Sequence, residues 1–436
     1  MILTLLGFLM VITFMYLIMS KRMTGFAALI IIPITFGLLG GFAPTIGKLM
    51  MDGVKTIAPT AIMMMFAVMY FGIMVDVGLF DGLIVQILKK VKGDPLKIVV
   101  GTTLLAIIAS LEGEGAVVFM ITCTAMLPLY KRIGINPVIL AVICAMVTAV
   151  KNMFPWAAPT ARVLAALKLD AAEIFNPLVP VIICGFAYIA LMGYVLGKRE
   201  RARLGVIQIE DSMIDGIAKE VVSKNPEFKR PKLFWVNLIM TLTLMGLLLV
   251  EKKIGVSIPI IFLAGSALAL IVNFPKVKEQ QGRMLAHAKE ALQVTAVVFA
   301  AGIFMGILTG TKMTDAMATF LIGIIPTGLG SHMGMITALL SAPLSFLLSN
   351  DAFYFGVLPV LNQMAATYGI GAAEIGRASL LGTPVHMLSP LVAALWLLVG
   401  MCDITFGDLQ KGGIWWAFGL MILNIVVAIV TGAISL

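Results

Sequence analysis

The chain has 436 residues, of which 61% are hydrophobic and only 12% are charged. Soluble domains carry about 25% charged residues, so this composition excludes a soluble protein and is typical of a polytopic membrane protein. The net charge of +9 comes largely from lysines and arginines in short segments between apolar runs. That distribution is typical of cytoplasmic loops and is not a nucleic-acid-binding pattern.

Apolar runs of about 20 residues, the length needed to cross a bilayer, recur along the chain. They predict an all-α fold with ten spans, near 2–19, 24–42, 57–78, 137–163, 176–197, 233–251, 256–273, 290–310, 372–400 and 413–433. The first run has no basic segment before it and no small-residue cleavage site, so we expect a retained span with an outside N-terminus. The cysteines lie in or beside apolar runs at spacings unlike metal or disulfide motifs.

Two apolar runs are interrupted by polar residues where a span should continue. The first interruption is "SLEGEG" at 110–115, and the second is "SND" at 349–351. Acidic residues at membrane depth are costly unless they face water, a partner or a ligand. Broken helices at that depth are tolerated only where the backbone is buried in protein or lines a cavity. We therefore predict two re-entrant hairpins, at about 99–130 and 328–366, whose tips form one solute site.

The two halves of the chain resemble each other. Glu114 aligns with Asp351 and Pro155 with Pro390. Each half has five full spans, an odd number, so the second half must be inverted relative to the first. Inverted repeats with helices broken at matching positions indicate a secondary transporter. We divide the chain into a first repeat at 1–197, a linker at 198–232 and a second repeat at 233–436.

The basic residues predict the orientation. The linker begins with "KRERARLG" and ends with "FKRPK", which places it in the cytoplasm and both termini outside. Lys131 and Arg132 then also lie inside, whereas Lys252 and Lys253 lie outside, against the rule. The first hairpin enters from the cytoplasm and the second from outside. We expect a multi-pass protein of the cell membrane.

The first tip combines acids with glycines. Gly113 and Gly115 permit a tight reversal and close backbone approach. Glu112 and Glu114 cannot both stay charged in a dry site without a cation, a partner or a proton. We assign both glutamates to a metal or coupling ion.

The second tip offers short oxygen-bearing side chains. Ser349, Asn350 and Asp351 suit a hard cation, and they also suit capping of the returning helix. We place Asp351 with the metal or coupling ion and the other two with the substrate. Capping alone stays open for Asn350 and Asp351.

The span after each hairpin contains two prolines, which predict non-helical backbone near the tips. In "VKNMFPWAAPTARV" (150–163), Lys151 is expensive as a structural residue and is expected to pair with an acid or an anionic substrate. In "LLGTPVHMLSPLV" (380–392), His386 suits a proton relay or a hydrogen-bonded packing role equally. Arg162 and Arg377 suit either the site or an interface.

Several long motifs carry a family resemblance, among them "FGIMVDVGLFD", "MLPLYKRIGINP", "NMFPWAAPTAR", "SNDAFYFGVLPVL" and "RASLLGTPVHMLSPLV". On these motifs the chain resembles the citrate–divalent metal:proton symporter family of the ion transporter superfamily, over nearly its whole length. The resemblance implies uptake of citrate as its divalent-metal complex, coupled to protons. It also implies an inverted-repeat fold in which a transport domain moves against a scaffold domain that dimerises.

The resemblance also implies binding positions. They fall on Asn152, Pro155, Thr160, Asn350, Asp351, Thr383 and Ser389. With the residues above, the substrate-binding candidates are Gly113, Gly115, Lys151, Asn152, Pro155, Thr160, Ser349, Asn350, Thr383, Pro384 and Ser389.

The chain departs from the family pattern at three places. The first tip reads Glu-Gly-Glu-Gly where the family usually reads Asp-Gly-Asp-Gly, and the extra methylene moves each carboxylate outward. Thr383 stands where glutamine is expected, and Lys151 stands where an uncharged residue is expected. These departures affect the preferred ion or ligand more than the fold.

The leading hypothesis is an elevator-type, proton-coupled importer of citrate or a related di- or tricarboxylate, with Mg²⁺ or Ca²⁺ co-transported and no permanently bound cofactor. The alternative is a Na⁺-coupled carboxylate transporter without metal co-transport. A channel would need a continuous polar stripe, whereas polar residues here concentrate in four short breaks. The sequence contains no H-E-x-x-H, G-x-S-x-G or P-loop motif, so we expect neither an enzyme nor an ATP-driven pump. The expected partners are the carboxylate, the lipid bilayer and a second copy in a homodimer.

Overall fold

The computed structural model describes residues 2–20, 22–91, 93–112, 115–206, 226–322 and 327–436. Over these ranges the chain is helical and contains no strand, which confirms the all-α prediction.

The first half forms nine helices within the described ranges. They are α1 (Ile2–Met19), α2 (Gly25–Leu39), α3 (Ile46–Asp76), α4 (Asp81–Val91), α5 (Pro95–Ala109), α6 (Gly115–Ile133), α7 (Pro137–Lys151), α8 (Ala158–Leu167) and α9 (Ala171–Leu204). A short 3₁₀ turn, Ser110–Glu112, follows α5.

The second half repeats this alternation of long and short helices. Its helices are α10 (Phe234–Leu249), α11 (Glu251–Ile254), α12 (Ile258–Asn273), α13 (Val277–Ala286), α14 (Ala288–Gly310), α15 (Met313–Ile322), α16 (Met333–Leu347), α17 (Leu358–Ala366), α18 (Ala372–Leu380), α19 (Thr383–His386), α20 (Ala393–Cys402) and α21 (Phe406–Val430). A π-helical turn, Ala352–Val357, leads directly into α17.

Five helices of the described chain are long and apolar enough to cross a membrane, judged by length and composition. They are α3, α9, α14, α21 and the segment Pro231–Leu248, which contains most of α10. The other apolar helices are shorter. The predicted spans at 137–163 and 372–400 are each divided into separate helices, because their prolines interrupt the helical hydrogen bonds.

Several helices begin at a polar residue followed by proline, a combination that is favoured at helix starts. The side chain of Asp94 accepts a hydrogen bond from Leu96 N at 3.1 Å, and Pro95 is the first residue of α5. Asn136 caps α7 in the same way, accepting from Val138 N at 3.0 Å. Each cap satisfies a backbone donor that the first turn leaves free.

The helix α9 continues past the predicted boundary at residue 197 and ends at Leu204. Its charged end is bonded to the turn between α6 and α7. Glu200 Oε2 accepts from Asn136 N at 3.2 Å, and Arg203 Nη2 donates to Gly134 O at 2.7 Å. These contacts hold the basic segment in helical form.

The helices pack in two groups. One group contains α1, α2, α3, α10, α12, α14 and α15, with α3 packed along α14 and α12. The other contains α5, α6, α7, α9, α16, α18, α19, α20 and α21. Helices α8 and α17 contact members of both groups, and the π-helical turn packs against α1 and α14 of the first group and against α8 and α17. Two of the sequence breaks, at 110–112 and 381–392, connect helices of the second group. The other two, at 152–157 and 348–351, lead from that group to α8 and to the π-helical turn.

Glycines set the spacing of α3 and α14. A Cβ on Gly306 would lie 3.1 Å from Cα of Gly53, and one on Gly302 would lie 2.6 Å from Cδ1 of Ile57. Small residues spaced four apart let two helix backbones approach directly. The two halves of the chain are in backbone contact here.

Helix ends recur at a constant separation in the two halves. Lys168 after α8 and Asp403 after α20 both adopt the left-handed conformation, with φ of 56° at each. Two residues later a capping box starts the next helix, at Asp170 for α9 and at Thr405 for α21. Left-handed φ is uncommon outside glycine, so its recurrence at matching positions is a specific local similarity.

Candidate functional site

The first proline-containing break separates α7 from α8. Lys151 and Asn152, at the end of α7, are only 3% and 5% exposed. Thr160 Oγ1 reaches back from α8 and donates to the carbonyl oxygen of Asn152 at 2.7 Å. Pro155 lies in the non-helical turn that this bond closes. The lysine charge is therefore buried beside non-helical backbone.

The second proline-containing break faces the first across the two halves. Between α18 and α20 the chain forms only the single turn α19, with Pro384 in its first turn. Thr383 Oγ1 lies 3.1 Å from Ala149 O in α7 and 2.8 Å from Leu380 O in α18, so its single hydrogen is shared between the two carbonyls. The amide nitrogen of Asn152 donates to Met387 Sδ at 3.7 Å, a weak acceptor. The two breaks are thus joined by hydrogen bonds.

The break at 348–351 follows α16. Ser349 Oγ accepts a hydrogen bond from Ala352 N at 3.2 Å, so this serine caps the returning helix. Asp351 makes no capping bond. Instead, Asp351 Oδ1 accepts from Arg162 Nε at 2.6 Å. Capping alone is therefore the wrong interpretation of Asp351.

Asn350 differs from its two neighbours. Its Oδ1 atom is buried and accepts no hydrogen bond from the described residues. A buried acceptor without a donor costs free energy, so such an atom usually has a ligand, water or ion as its partner. Asn350 Oδ1 is therefore available to accept from a ligand or a water molecule.

The second proline-containing break is also bonded to the end of α16. Ser389 Oγ donates to Phe346 O at 2.6 Å. His386 Nδ1 lies 2.5 Å from Ser345 O, and because a carbonyl only accepts, Nδ1 carries the hydrogen. Nε2 of a neutral His386 is then an acceptor, buried and without a partner among the described side chains. The proton-relay role of His386 stays a prediction.

The break at 110–112 approaches the first proline-containing break. Trp156 Nε1 donates to Leu111 O at 3.2 Å. Gly113, Glu114 and the side chain of Glu112 lie outside the described residues. Gly115 is the first residue of α6.

Trp156 also connects the site to the first group of helices, a role that the sequence reasoning missed. Its ring stacks on Phe71 of α3 at 5.4 Å and lies edge-on to Phe262 of α12 at 5.3 Å. The signal available was a tryptophan directly after a break-forming proline, in the "FPWA" of 154–157. Aromatic pairs of this kind add about 0.5–1.5 kcal/mol beyond area burial.

Arg162 and Arg377, which the sequence assigns to either the site or an interface, have different surroundings. Arg377 donates to Ala433 O at 2.6 Å and to Glu173 O at 2.9 Å, so it joins α18 to the start of α9 and to the C-terminal segment. Arg162 pairs with Asp351 and lines a cavity. Arg162 therefore belongs to the candidate site and Arg377 to a helix interface.

The cavity beside Arg162 lies between α6, α8 and α14. Its volume is about 420 Å³, within the range of about 300–1,000 Å³ that is usual for small-molecule sites. Its lining residues are Val117, Met120, Ala158, Ala161, Arg162, Lys289, Glu290, Gln293, Val297 and Val298. It borders both groups of helices.

The hydroxyl groups and the ionic groups of the site have different tasks. Thr160, Thr383 and Ser389 each donate to a backbone carbonyl, so they hold the breaks in shape. The groups with remaining capacity for a polar solute include Asn350 Oδ1, His386 Nε2 and the pair formed by Arg162 and Asp351. Over the described ranges no cluster of three or more His, Cys, Asp or Glu side chains is placed to hold a metal ion.

The fold resembles two solved transporter structures. The structure of the YdaH transporter of Alcanivorax borkumensis matches 89% of this chain and 89% of its own, with a TM-score of 0.59 and 14% identity. The structure of MtrF of Neisseria gonorrhoeae matches 89% of this chain and 85% of its own, with a TM-score of 0.60 and 16% identity. At these identities the likeness concerns the fold alone.

Sequence comparison gives a closer relationship. The citrate transporter family model, CitMHS, matches residues 14–382. A Bacillus subtilis protein named "Citrate transporter" is 53% identical, with 99% of this chain and 100% of that protein covered. A second B. subtilis protein, named "Mg(2+)/citrate complex secondary transporter", is 46% identical, with 100% and 99% covered. The chain therefore belongs to the citrate transporter family.

Proposed function

We propose that this protein is a secondary transporter that imports citrate, or a related di- or tricarboxylate, as its complex with a divalent metal and together with protons. The proposal depends mainly on one observation, that four helix breaks distant in sequence meet in the structure. The hydrogen bonds between them have Leu111, Ala149, Phe346 and Asp351 as acceptors. Relatives named for citrate and for the Mg²⁺/citrate complex supply the substrate class. Mg²⁺ or Ca²⁺ is cargo in this scheme and not a resident cofactor.

The transport mechanism is an elevator in which one helix group carries the site past the other. The two packing groups support this division, because the cavity beside Arg162 lies at their boundary. In this scheme the group around α3 and α14 is the scaffold and forms the homodimer. The group around α7, α9 and α21 is the transport domain.

The underlying architecture is a pair of inverted repeats, at 1–197 and 233–436, each with a re-entrant hairpin. The matching left-handed residues Lys168 and Asp403 support the duplication, as do the capping boxes that follow them. The helix breaks after Ala109 and Leu347 support hairpin tips at these two places.

The protein spans the cell membrane with the linker in the cytoplasm and both termini outside. Contacts between basic segments support this orientation. Arg201 pairs with Asp94 before α5, and Arg203 bonds to the turn after α6. These segments therefore share one end of the molecule, as the positive-inside rule requires.

In this scheme Glu112 and Glu114 carry the coupling protons, with His386 as the relay candidate. Two neighbouring carboxyl groups titrate as a pair, so one of them holds a proton more tightly than an isolated glutamate does. Lys151, buried at the first break, supplies a positive charge toward the anionic cargo.

Uptake in proteoliposomes tests the proposal. Labelled citrate is offered with Mg²⁺, with Ca²⁺ or without metal, under a pH gradient or a Na⁺ gradient. We expect uptake that needs a metal and follows the pH gradient. Uptake that requires Na⁺ and ignores pH selects the Na⁺-coupled alternative, and no citrate uptake with any metal refutes the substrate.

The variant Glu114→Gln tests the proton site. It keeps the side-chain shape but cannot bind a proton, so we expect coupled uptake to be lost while the thermal unfolding temperature stays close to wild type. Glu279→Gln on α13, outside the site, is the matched control and should transport normally. Normal coupled transport by Glu114→Gln would remove this carboxylate from the mechanism.

A further inference from the structure

An ion pair joins the first half of the chain to the tip region of the second. Arg162 Nε lies 2.6 Å from Asp351 Oδ1, with side chains 18% and 17% exposed. Arg162 is further fixed by donation from Nη1 to Ala158 O at 3.0 Å. Arg162 is on α8, which contacts both helix groups, and Asp351 immediately precedes the π-helical turn, which packs on α8. The pair therefore lies at the boundary across which the transport domain would move.

Each partner of the pair also faces something besides the other. Asp351 Oδ2 lies against the start of α2, where a Cβ on Gly25 would be 2.5 Å away. The partial positive charge of a helix N-terminus favours a carboxylate there. Arg162 lines the cavity of about 420 Å³ together with Lys289, Glu290 and Gln293 of α14. A solute in that cavity therefore meets the guanidinium of Arg162.

The neighbouring residue adds a second oxygen. Asn350 precedes Asp351, and its buried Oδ1 atom accepts no hydrogen bond from the described residues. Divalent Mg²⁺ and Ca²⁺ prefer carboxylate and amide oxygens. A carboxylate and an unsatisfied amide oxygen on consecutive residues are thus ligand types that suit a hard cation.

We propose that Arg162 and Asp351 exchange their ion pair for the two opposite charges of a metal–carboxylate complex. The metal takes the place of Arg162 on Asp351, and a carboxylate of the cargo takes the place of Asp351 on Arg162. One salt bridge is replaced by two, and no charge is left without a counter-charge. This inference rests on the proposed function and names the residues that make that site selective for the complex.

The exchange explains selectivity against the separate components. Metal-free citrate can pair with Arg162, but Asp351 then loses its counter-charge and faces an anionic ligand. The metal alone can pair with Asp351 but leaves Arg162 without a counter-charge. Removing one partner of a partly buried pair is strongly unfavourable, so we expect the complex to bind about 100-fold more tightly than metal-free citrate.

Binding to the purified full-length protein tests the exchange. The probes are Mg²⁺–citrate, metal-free citrate and Mg²⁺ alone, measured by titration calorimetry and by the shift in unfolding temperature. Asp351→Asn should bind both forms of citrate within a few-fold of each other, because the metal has lost its anionic ligand. Arg162→Gln should lose affinity for Mg²⁺–citrate and gain affinity for Mg²⁺ alone. Arg162→Lys should restore part of the preference for the complex.

A matched pair elsewhere separates stability from selectivity. Asp76 of α3 accepts from Arg283 Nη1 at 3.2 Å, with side chains 12% and 16% exposed, and also lies 2.9 Å from His287 Nε2, outside the candidate site. Asp76→Asn should lower the unfolding temperature and leave the preference for the metal complex unchanged. If a single variant at the site fails to fold, the double variant Arg162→Gln with Asp351→Asn removes both charges together, and it should fold and bind citrate without metal preference.

The outcomes distinguish a failure of the ion-pair exchange from a failure of the proposed function. Wild-type preference retained in Asp351→Asn, or in the double variant, overturns the exchange and leaves the proposed function intact. Unchanged Mg²⁺ affinity in Arg162→Gln does the same. A wild-type protein that binds citrate in no form overturns the proposed function and the exchange with it.

Discussion

Replacing Gly306 by alanine tests the backbone contact between α3 and α14. A Cβ at Gly306 would lie 3.1 Å from Cα of Gly53 and closer still to the carbonyl oxygen of Leu49. Carbon atoms pack best about 3.5–4.0 Å apart, so the helices would have to separate by roughly half an ångström or more. Both obstructing atoms belong to the backbone of α3, so no side-chain rotation relieves the overlap.

Two effects oppose each other in this substitution. Alanine favours a helix over glycine by about 0.8–1.0 kcal/mol. Overpacking a close contact costs about 1–3 kcal/mol, and rigid backbone on the other side of the clash places the cost at the upper end. We therefore expect Gly306→Ala to destabilise the protein by about 1–2 kcal/mol.

The assay is thermal unfolding of the purified full-length chain in detergent. Gly246→Ala in α10 is the matched control, because a Cβ there meets nothing within 4 Å. The control should unfold at the wild-type temperature or slightly above it. If Gly306→Ala does the same, the direct contact of α3 and α14 is refuted.

Two further substitutions test buried hydrogen bonds. Ser389→Ala removes the donor to Phe346 O. A carbonyl left without a partner costs about 1–3 kcal/mol, so both the unfolding temperature and the citrate uptake rate should fall. Asn237→Ala breaks the reciprocal amide pair with Asn273, whose bonds measure 2.8 and 2.9 Å. Its destabilisation should be about 1–3 kcal/mol, and a double-mutant cycle with Asn273→Ala should be strongly non-additive; additive effects would show that the two amides act independently.

Features with a local cause were predictable from the sequence. The helix starts at Asp94-Pro95 and Asn136-Pro137 depend on residues that are neighbours in the chain. The breaks near 110–112 and 348–351 were predictable because polar residues at membrane depth have few structural solutions. In contrast, the contacts of the charged end of α9 with the distant Gly134 and Asn136 have no local signal in the sequence.

The pairing of site residues was not predictable in the same way. Arg162 and Asp351 are 189 residues apart, and no local pattern indicates that they meet. The same holds for the hydroxyls of Thr383 and Ser389, whose distant acceptors lie in α7 and α16. The sequence identifies such residues as polar and buried, whereas only the packing of the helices decides which of them support backbone and which are left for a solute.

The contact between Gly53 and Gly306 also bears on how the protein is made. The ribosome supplies the partner of α3 roughly 250 residues after Gly53, which at about 5–20 residues per second takes of the order of ten seconds or more. During that time the glycine face of α3 has no helix to pack on, although the first half is already being inserted. We therefore expect the insertion machinery to shield this face of α3 until α14 has been synthesised. Two half-length chains should assemble into a working protein only when both are synthesised in the same membrane.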